Sequence, residues 1–181
     1  PRSRERSAPA GTSMEASPAT TSPPSDLKKF KHTVAMPSLT LYGQFGRDVH
    51  PNQVLNALTK IGFDRTYDIS WMCEMVAGAT DAFLSECNGP WPRISVTCPA
   101  IVRLVQIRYP DLIPHLIPIE VARELAAKLL RRKLSAELHL DPDEIGIFFI
   151  TPCSAIMNSI PRPEDAGPYS RSHAACFRLQ T

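Results

Sequence analysis

The run Ile145-Gly146-Ile147-Phe148-Phe149-Ile150 constrains this chain more than any other segment. It is the core of an apolar run from Glu144 to Ile150, typical of a buried central strand, that Thr151-Pro152 follows. A strand of that kind belongs to a sheet whose strands alternate with helices, and the rest of the chain supplies that alternation. His32 to Met36 is β-prone and stopped by Pro37. Asn52 to Ile61 has Val54, Leu55, Leu58 and Ile61 at helical spacing, with Asn52 able to cap and Gly62 to end it. Thr66 to Ile69 is a brief strand. Trp71 to Cys87 is a longer helix with Trp71, Met72, Met75, Val76, Ala79 and Phe83 on one face. Arg93 to Thr97 is a strand running into Cys98. Pro99 to Tyr109 is a helix with proline at its first position, where the missing N–H costs nothing. Pro118 opens another in the same way, continuing to about Leu138.

The order β-α-β-α-β-α-α-β predicts an α/β fold: an open, mainly parallel sheet with helices on both faces. Ligands of such sheets sit beyond the carboxyl ends of the strands. Cys98 and Cys153 each follow an expected strand, at that end. Cys98 also precedes a helix opened by Pro99, where free N–H groups and the helix dipole favour a thiolate, the form that binds metal. Both cysteines equally suit the role of small buried hydrophobes. They lie far outside the local spacings of zinc fingers or ferredoxins.

Composition narrows the class. A net charge of +2 gives no ground for a nucleic-acid or membrane partner. No apolar run approaches the ~20 residues of a membrane span, and the N-terminus lacks the pattern of a secretory signal. Five widely spaced cysteines do not form a disulfide framework, which points to a reducing, cytoplasmic setting. Residues 1–26, rich in Ser, Pro, Thr, Ala and Arg, are expected to be a disordered tail. Residues 27–160 form the domain, and 161–181 are expected to be irregular.

The residues around the two cysteines carry a resemblance. Ile94-Ser95-Val96-Thr97-Cys98-Pro99-Ala100-Ile101-Val102-Arg103 and Phe148-Phe149-Ile150-Thr151-Pro152-Cys153-Ser154-Ala155 resemble the first and second cysteine motifs of the iron-only hydrogenase large subunit. The spacer Arg108-Tyr109-Pro110-Asp111-Leu112-Ile113, then Pro118-Ile119-Glu120, is similar too, as is Ile61-Gly62-Phe63-Asp64 leading to Tyr67-Asp68. The resemblance runs from Lys31 to about Ile160 and is nearest the sensory or regulatory branch, whose first motif has one cysteine.

That resemblance implies the first lobe of an iron-only hydrogenase catalytic domain. In the family, four cysteines hold a 4Fe-4S cubane, one of them bridging to a two-iron subsite that makes or splits dihydrogen. The first two ligands map onto Cys98 and Cys153. The other two belong to a later motif that this sequence lacks, and Cys176 matches it poorly. Thr97 stands where the family has a proton-donating cysteine. Ile156 stands where it has a lysine that anchors the two-iron subsite. The resemblance therefore implies a partial catalytic domain, inactive alone and possessed of a whole cluster only with partners: a C-terminal half, or ferredoxin-like or sensory domains, of the same or another chain. A sensory iron–sulfur domain, a relative of cytosolic iron–sulfur assembly factors and a cofactor-free remnant are the alternatives. Cys73, beside Glu74 on the second long helix, is expected to pack, and Cys87 to be structural.

Overall fold

The computed structural model describes residues 24–159 and 174–177; for 24–26 and 174–177 the description is of backbone. Four parallel strands form one sheet in the order β2-β1-β3-β4: β1 His32–Pro37, β2 Arg65–Thr66, β3 Ile145–Ile150 and β4 Ala174–Phe177. The apolar run is the β3 strand, and every residue in it is buried. β1 lies beside it in register from His32 opposite Ile145 to Pro37 opposite Ile150. Backbone bonds clamp both ends of the pair, from Lys31 N–H to Glu144 O (2.9 Å) and from Ser38 N–H to Ile150 O (2.8 Å).

Alternation along the two strands separates two cores. Val34, Met36, Ile145, Ile147 and Phe149 face one way. They meet Ile69, Met72, Met157 and the Ala126, Ala127, Leu130 and Leu134 stripe of α5 (Ala122–Leu138). Ala35, Phe148 and Ile150 face the other way, onto Leu41 of α1 (Leu39–Tyr42), Val54 and Leu58 of α2 (Pro51–Ile61), and Phe63. Helices thus cover both faces, as the alternation predicts. Phe148 sits between two rings edge-on, Phe30 at 5.7 Å and Phe63 at 5.6 Å. Gly146 makes room for this: a Cβ there would lie 2.6 Å from Phe30 ring carbons and 2.8 Å from Phe148 Cε2.

Several expectations shift. Arg93 to Thr97 is not a strand of the sheet. Ile94 alone pairs, in a single bridge to Leu116, while the Ser95 hydroxyl accepts the Thr97 N–H at 3.3 Å and meets the Thr97 hydroxyl at 2.9 Å. Those short polar side chains offer the backbone a local turn in place of a ladder. The segment after Leu116 is tied to the same place, Ile117 N–H donating to Ile94 O at 2.9 Å. It therefore stays extended through Pro118, and α5 begins at Ala122. The strand expected at Thr66 to Ile69 is confined to Arg65–Thr66 plus a bond from Tyr67 N–H to Ala35 O. Asp68 then accepts from the Ser70 N–H and hydroxyl (2.8 and 2.6 Å) and turns the chain into α3 (Ser70–Glu86). The cap of α2 is His50, paired with Gln53 in a capping box, and not Asn52.

On α3, Met72 is the residue that reaches the buried core, whereas Trp71 and Met75 are 40% and 58% exposed. Residues 1–23 of the expected tail lie outside the described residues, and Pro24–Lys29 form a 3-10 turn. Of the C-terminal segment expected to be irregular, Ala174–Phe177 pairs with β3, Cys176 opposite Phe149.

Candidate iron–sulfur site

Cys98 is the N-cap of α4 (Pro99–Arg108), with extended backbone (φ −95°, ψ 110°) and Pro99 in the first helical position. Its carbonyl accepts the Val102 N–H at 3.2 Å, and the residue is exposed. With the Arg93 to Thr97 strand absent, Cys98 does not stand at the carboxyl end of a sheet strand. A turn and one bridge outside the sheet position it instead. Cys153 does stand at such an end. It follows β3 through buried Thr151, whose hydroxyl accepts the Cys153 N–H at 3.2 Å, and it is half-buried. Its carbonyl accepts the Met157 N–H at 3.2 Å, starting α6 (Ser154–Ser159). Each cysteine therefore immediately precedes a helix, and α4 and α6 pack against each other.

Thr97 is exposed beside Cys98, its hydroxyl engaged with Ser95. Ile156 is half-buried and packs against the core under the β1–β3 face. Its position is thus both uncharged and turned to packing.

Two cavities flank this region. One of about 330 Å3 lies between α3 and the 95–97 and 117–122 segments; Cys73, Thr80, Asp81, Ser95, Thr97 and Glu120 are its polar lining. Burial, then the nearby Asp68 carboxylate, pushes the Cys73 thiol up from its ordinary range. The other, about 510 Å3, lies between α4, α6 and residues 119–123, with Arg103 and Arg123 in its wall. The sequence reading left Cys73 to helix packing. The structure has it both touching the core and lining the cavity that Thr97 lines. Ser95 was overlooked; the Ser-x-Thr spacing ahead of Cys98 was its signal. Cys87 ends α3, where the Arg93 guanidinium donates to its sulfur and to Gly89 O. That supports a structural role.

Among the described residues no group of three or more His, Cys, Asp or Glu side chains gathers as a metal site. Two thiols at helix starts suit iron in kind, but a cubane takes four. Among the described residues, Cys98 and Cys153 are the two free thiols that each begin a helix.

The family described as iron-only hydrogenase large subunit, C-terminal domain, matches residues 31–168. The chain belongs to that family. The hydrogenase match takes in the whole β1-to-α6 unit and both cysteine corners. Iron hydrogenase 1 of Clostridium pasteurianum is 28% identical over 123 residues, 66% of this chain and 21% of that protein. Two single-residue variants of the [FeFe]-hydrogenase HydA1 from Chlamydomonas reinhardtii share the fold. One has TM-score 0.67 at 20% identity over 86% of this chain, the other TM-score 0.65 at 19% over 91%. The chain spans 43% and 42% of those two structures. It thus covers about a fifth of its curated relative and two-fifths of the solved hydrogenase chains. No helix of the described residues is long and apolar enough to cross a membrane.

Proposed function

We propose that this chain is the first lobe of a hydrogenase-type catalytic domain, supplying Cys98 and Cys153 as two of four thiolates to an iron–sulfur cluster, and that it does not turn over hydrogen alone. The observation that carries the reading is the pair of cysteine corners: Cys98 and Cys153, in motifs that resemble the family's, stand at the starts of two helices that pack together. When complete, such a cluster with its two-iron subsite supplies the chemistry that makes or splits dihydrogen. What this chain's own residues do is more limited. Cys98 and Cys153 offer sulfur at the surface and half-buried. The Thr97 hydroxyl, held by Ser95, titrates far outside the working range and relays protons poorly. Ile156 brings no charge to the anchoring position, a loss of about 1.5–3 kcal/mol for a charge-assisted bond. A partner carrying the other two thiolates, in the same or another chain, completes the site in a reducing, cytoplasmic setting.

Thr97 and Ile156 also favour a second reading, in which the cluster serves sensing and the domain signals through partners. A methyl-viologen-coupled hydrogen assay on anaerobically matured protein tests the claim of inactivity. The expected result is no uptake or evolution above a Cys98→Ala control. Activity above that control overturns it.

A further inference from the structure

Among the described residues three polar side chains are buried: Thr33, Ser38 and Thr151. Two of their hydroxyls engage another side chain. The Thr33 hydroxyl donates to Asp64 Oδ2 at 2.7 Å, and the Ser38 hydroxyl meets that of Thr40 at 2.9 Å. Thr151 differs. It is 2% exposed, and its hydroxyl accepts the Cys153 N–H at 3.2 Å but finds no acceptor of its own among the described residues. A hydroxyl has a proton to give as well as lone pairs to fill. Buried away from water, a donor left without a partner is destabilising. The unspent proton of Thr151 therefore points to an acceptor that these residues do not supply.

The local sequence places this donor. β3 delivers Thr151 at its carboxyl end, where the Ser38 N–H clamps Ile150 O at 2.8 Å. Pro152 has no N–H to offer, so the hydroxyl takes the next amide, that of Cys153. The turn sets it against the backbone of the residue whose sulfur is the proposed ligand. In this structure the bond is to the Cys153 amide and not to its sulfur. Rotation about the Cys153 Cα–Cβ bond moves that sulfur among three staggered positions, two of them gauche to the amide nitrogen. A thiolate there is a charged acceptor, which makes a stronger bond than a neutral one. The corner before Cys98 lacks this feature. Ser95 and Thr97 are exposed, their hydroxyls bond each other at 2.9 Å, and water can take the rest.

We propose that Thr151 is a positioning residue for Cys153: its hydroxyl holds the Cys153 amide and gives its own proton to the Cys153 thiolate when that sulfur binds iron. The inference rests on the reading of Cys153 as a cluster ligand and deepens it. A hydrogen bond to a ligating sulfur stabilises the more negative, reduced state of a cluster. Thr151 thereby raises the reduction potential.

Redox titration of the full chain tests it, after anaerobic reconstitution with iron, sulfide and an excess of a small free thiol. The parent, Thr151→Val and Thr151→Ser are compared. Valine keeps the branched shape and loses the hydroxyl; serine keeps the hydroxyl. Reduction of Thr151→Val should be roughly tenfold less favourable, a potential lower by about 59 mV for one electron. Thr151→Ser should hold the parent value. Hydrogen exchange at the Cys153 amide should be faster in Thr151→Val and parent-like in Thr151→Ser. A Thr151→Val chain that folds but holds no cluster, beside a Thr151→Ser chain that does, also supports the proposal. If Thr151→Val does not fold, judged by circular dichroism, Thr151→Ala against Thr151→Ser makes the same comparison. Equal potentials in the parent and Thr151→Val, both loaded, overturn the proposal and leave the cluster reading standing. So does a Thr151→Ser potential as low as that of Thr151→Val. A parent that assembles no cluster overturns both.

Discussion

Gly146 sets a steric limit that a single methyl group exceeds. The Cβ of Gly146→Ala would press on the Phe30 and Phe148 rings at 2.6 and 2.8 Å. Overpacking of this kind costs about 1–3 kcal/mol, so the urea midpoint should fall with little change in slope. Asp64 gives a pH signature. Burial pushes its carboxyl up, but the Thr33 hydroxyl and N–H, donating at 2.7 and 2.8 Å with His32 nearby, outweigh that and hold it below the usual carboxylate range. A depressed carboxyl contributes stability that is present above its unfolded value and lost as pH falls through the folded one. Asp64→Asn should therefore be less stable than the parent at neutral pH, and the two should converge in acid. Equilibrium unfolding across that range checks it; a gap that persists in acid contradicts it. Arg93 also acts beyond its size, joining Cys87, Gly89 and Pro114 O (2.9 Å) and lying 5.5 Å over the Phe83 ring. Arg93→Ala should loosen the 87–93 segment, read as faster proteolysis there.

The elements differ in how plainly the sequence announces them. β3 was legible because six apolar residues in succession have no other satisfactory home. β1 and the α2 stripe follow from simple periodicity. The segment before Cys98 was not legible, because Ser95 and Thr97 satisfy backbone and each other locally, and propensity does not register that competition. The start of α5 was misplaced for a related reason. Pro118 suits a first helical position, yet the preceding residues are bonded to Ile94 and hold the chain extended. On α3 the apolar spacing was read correctly as helical but not as partly bare, since periodicity cannot tell a covered face from an exposed one. This hierarchy predicts a pattern of amide exchange: slowest in β1 and β3, clamped and buried, and fastest among long elements in the C-terminal half of α3. Hydrogen exchange by mass spectrometry resolves these segments. Protection in that half of α3 equal to β3 in the isolated monomer would contradict it.

At the scale of the whole molecule, a sheet covered on both faces coexists with the two cysteines proposed as cluster ligands. The sheet carries its own core on each face, which explains how a chain spanning two-fifths of a hydrogenase structure keeps the fold. Both thiols proposed as ligands were legible from motifs that resemble the family's, and Cys153 also from its place after β3. The Cys98 position relative to the sheet was not, because its supporting strand is a turn. The central claim is that these two thiols, and not Cys73, Cys87 or Cys176, hold iron. The most direct measurement is iron and acid-labile sulfide content, with the visible and paramagnetic-resonance signature of the reduced cluster, after anaerobic reconstitution of the parent, Cys98→Ala, Cys153→Ala and Cys73→Ala, each with an excess of a small free thiol to fill the two ligand positions this chain does not supply. The parent and Cys73→Ala should carry the cluster signature, and Cys98→Ala and Cys153→Ala should each lose it. A parent without the signature, or one that survives loss of Cys98 or Cys153, would contradict the account.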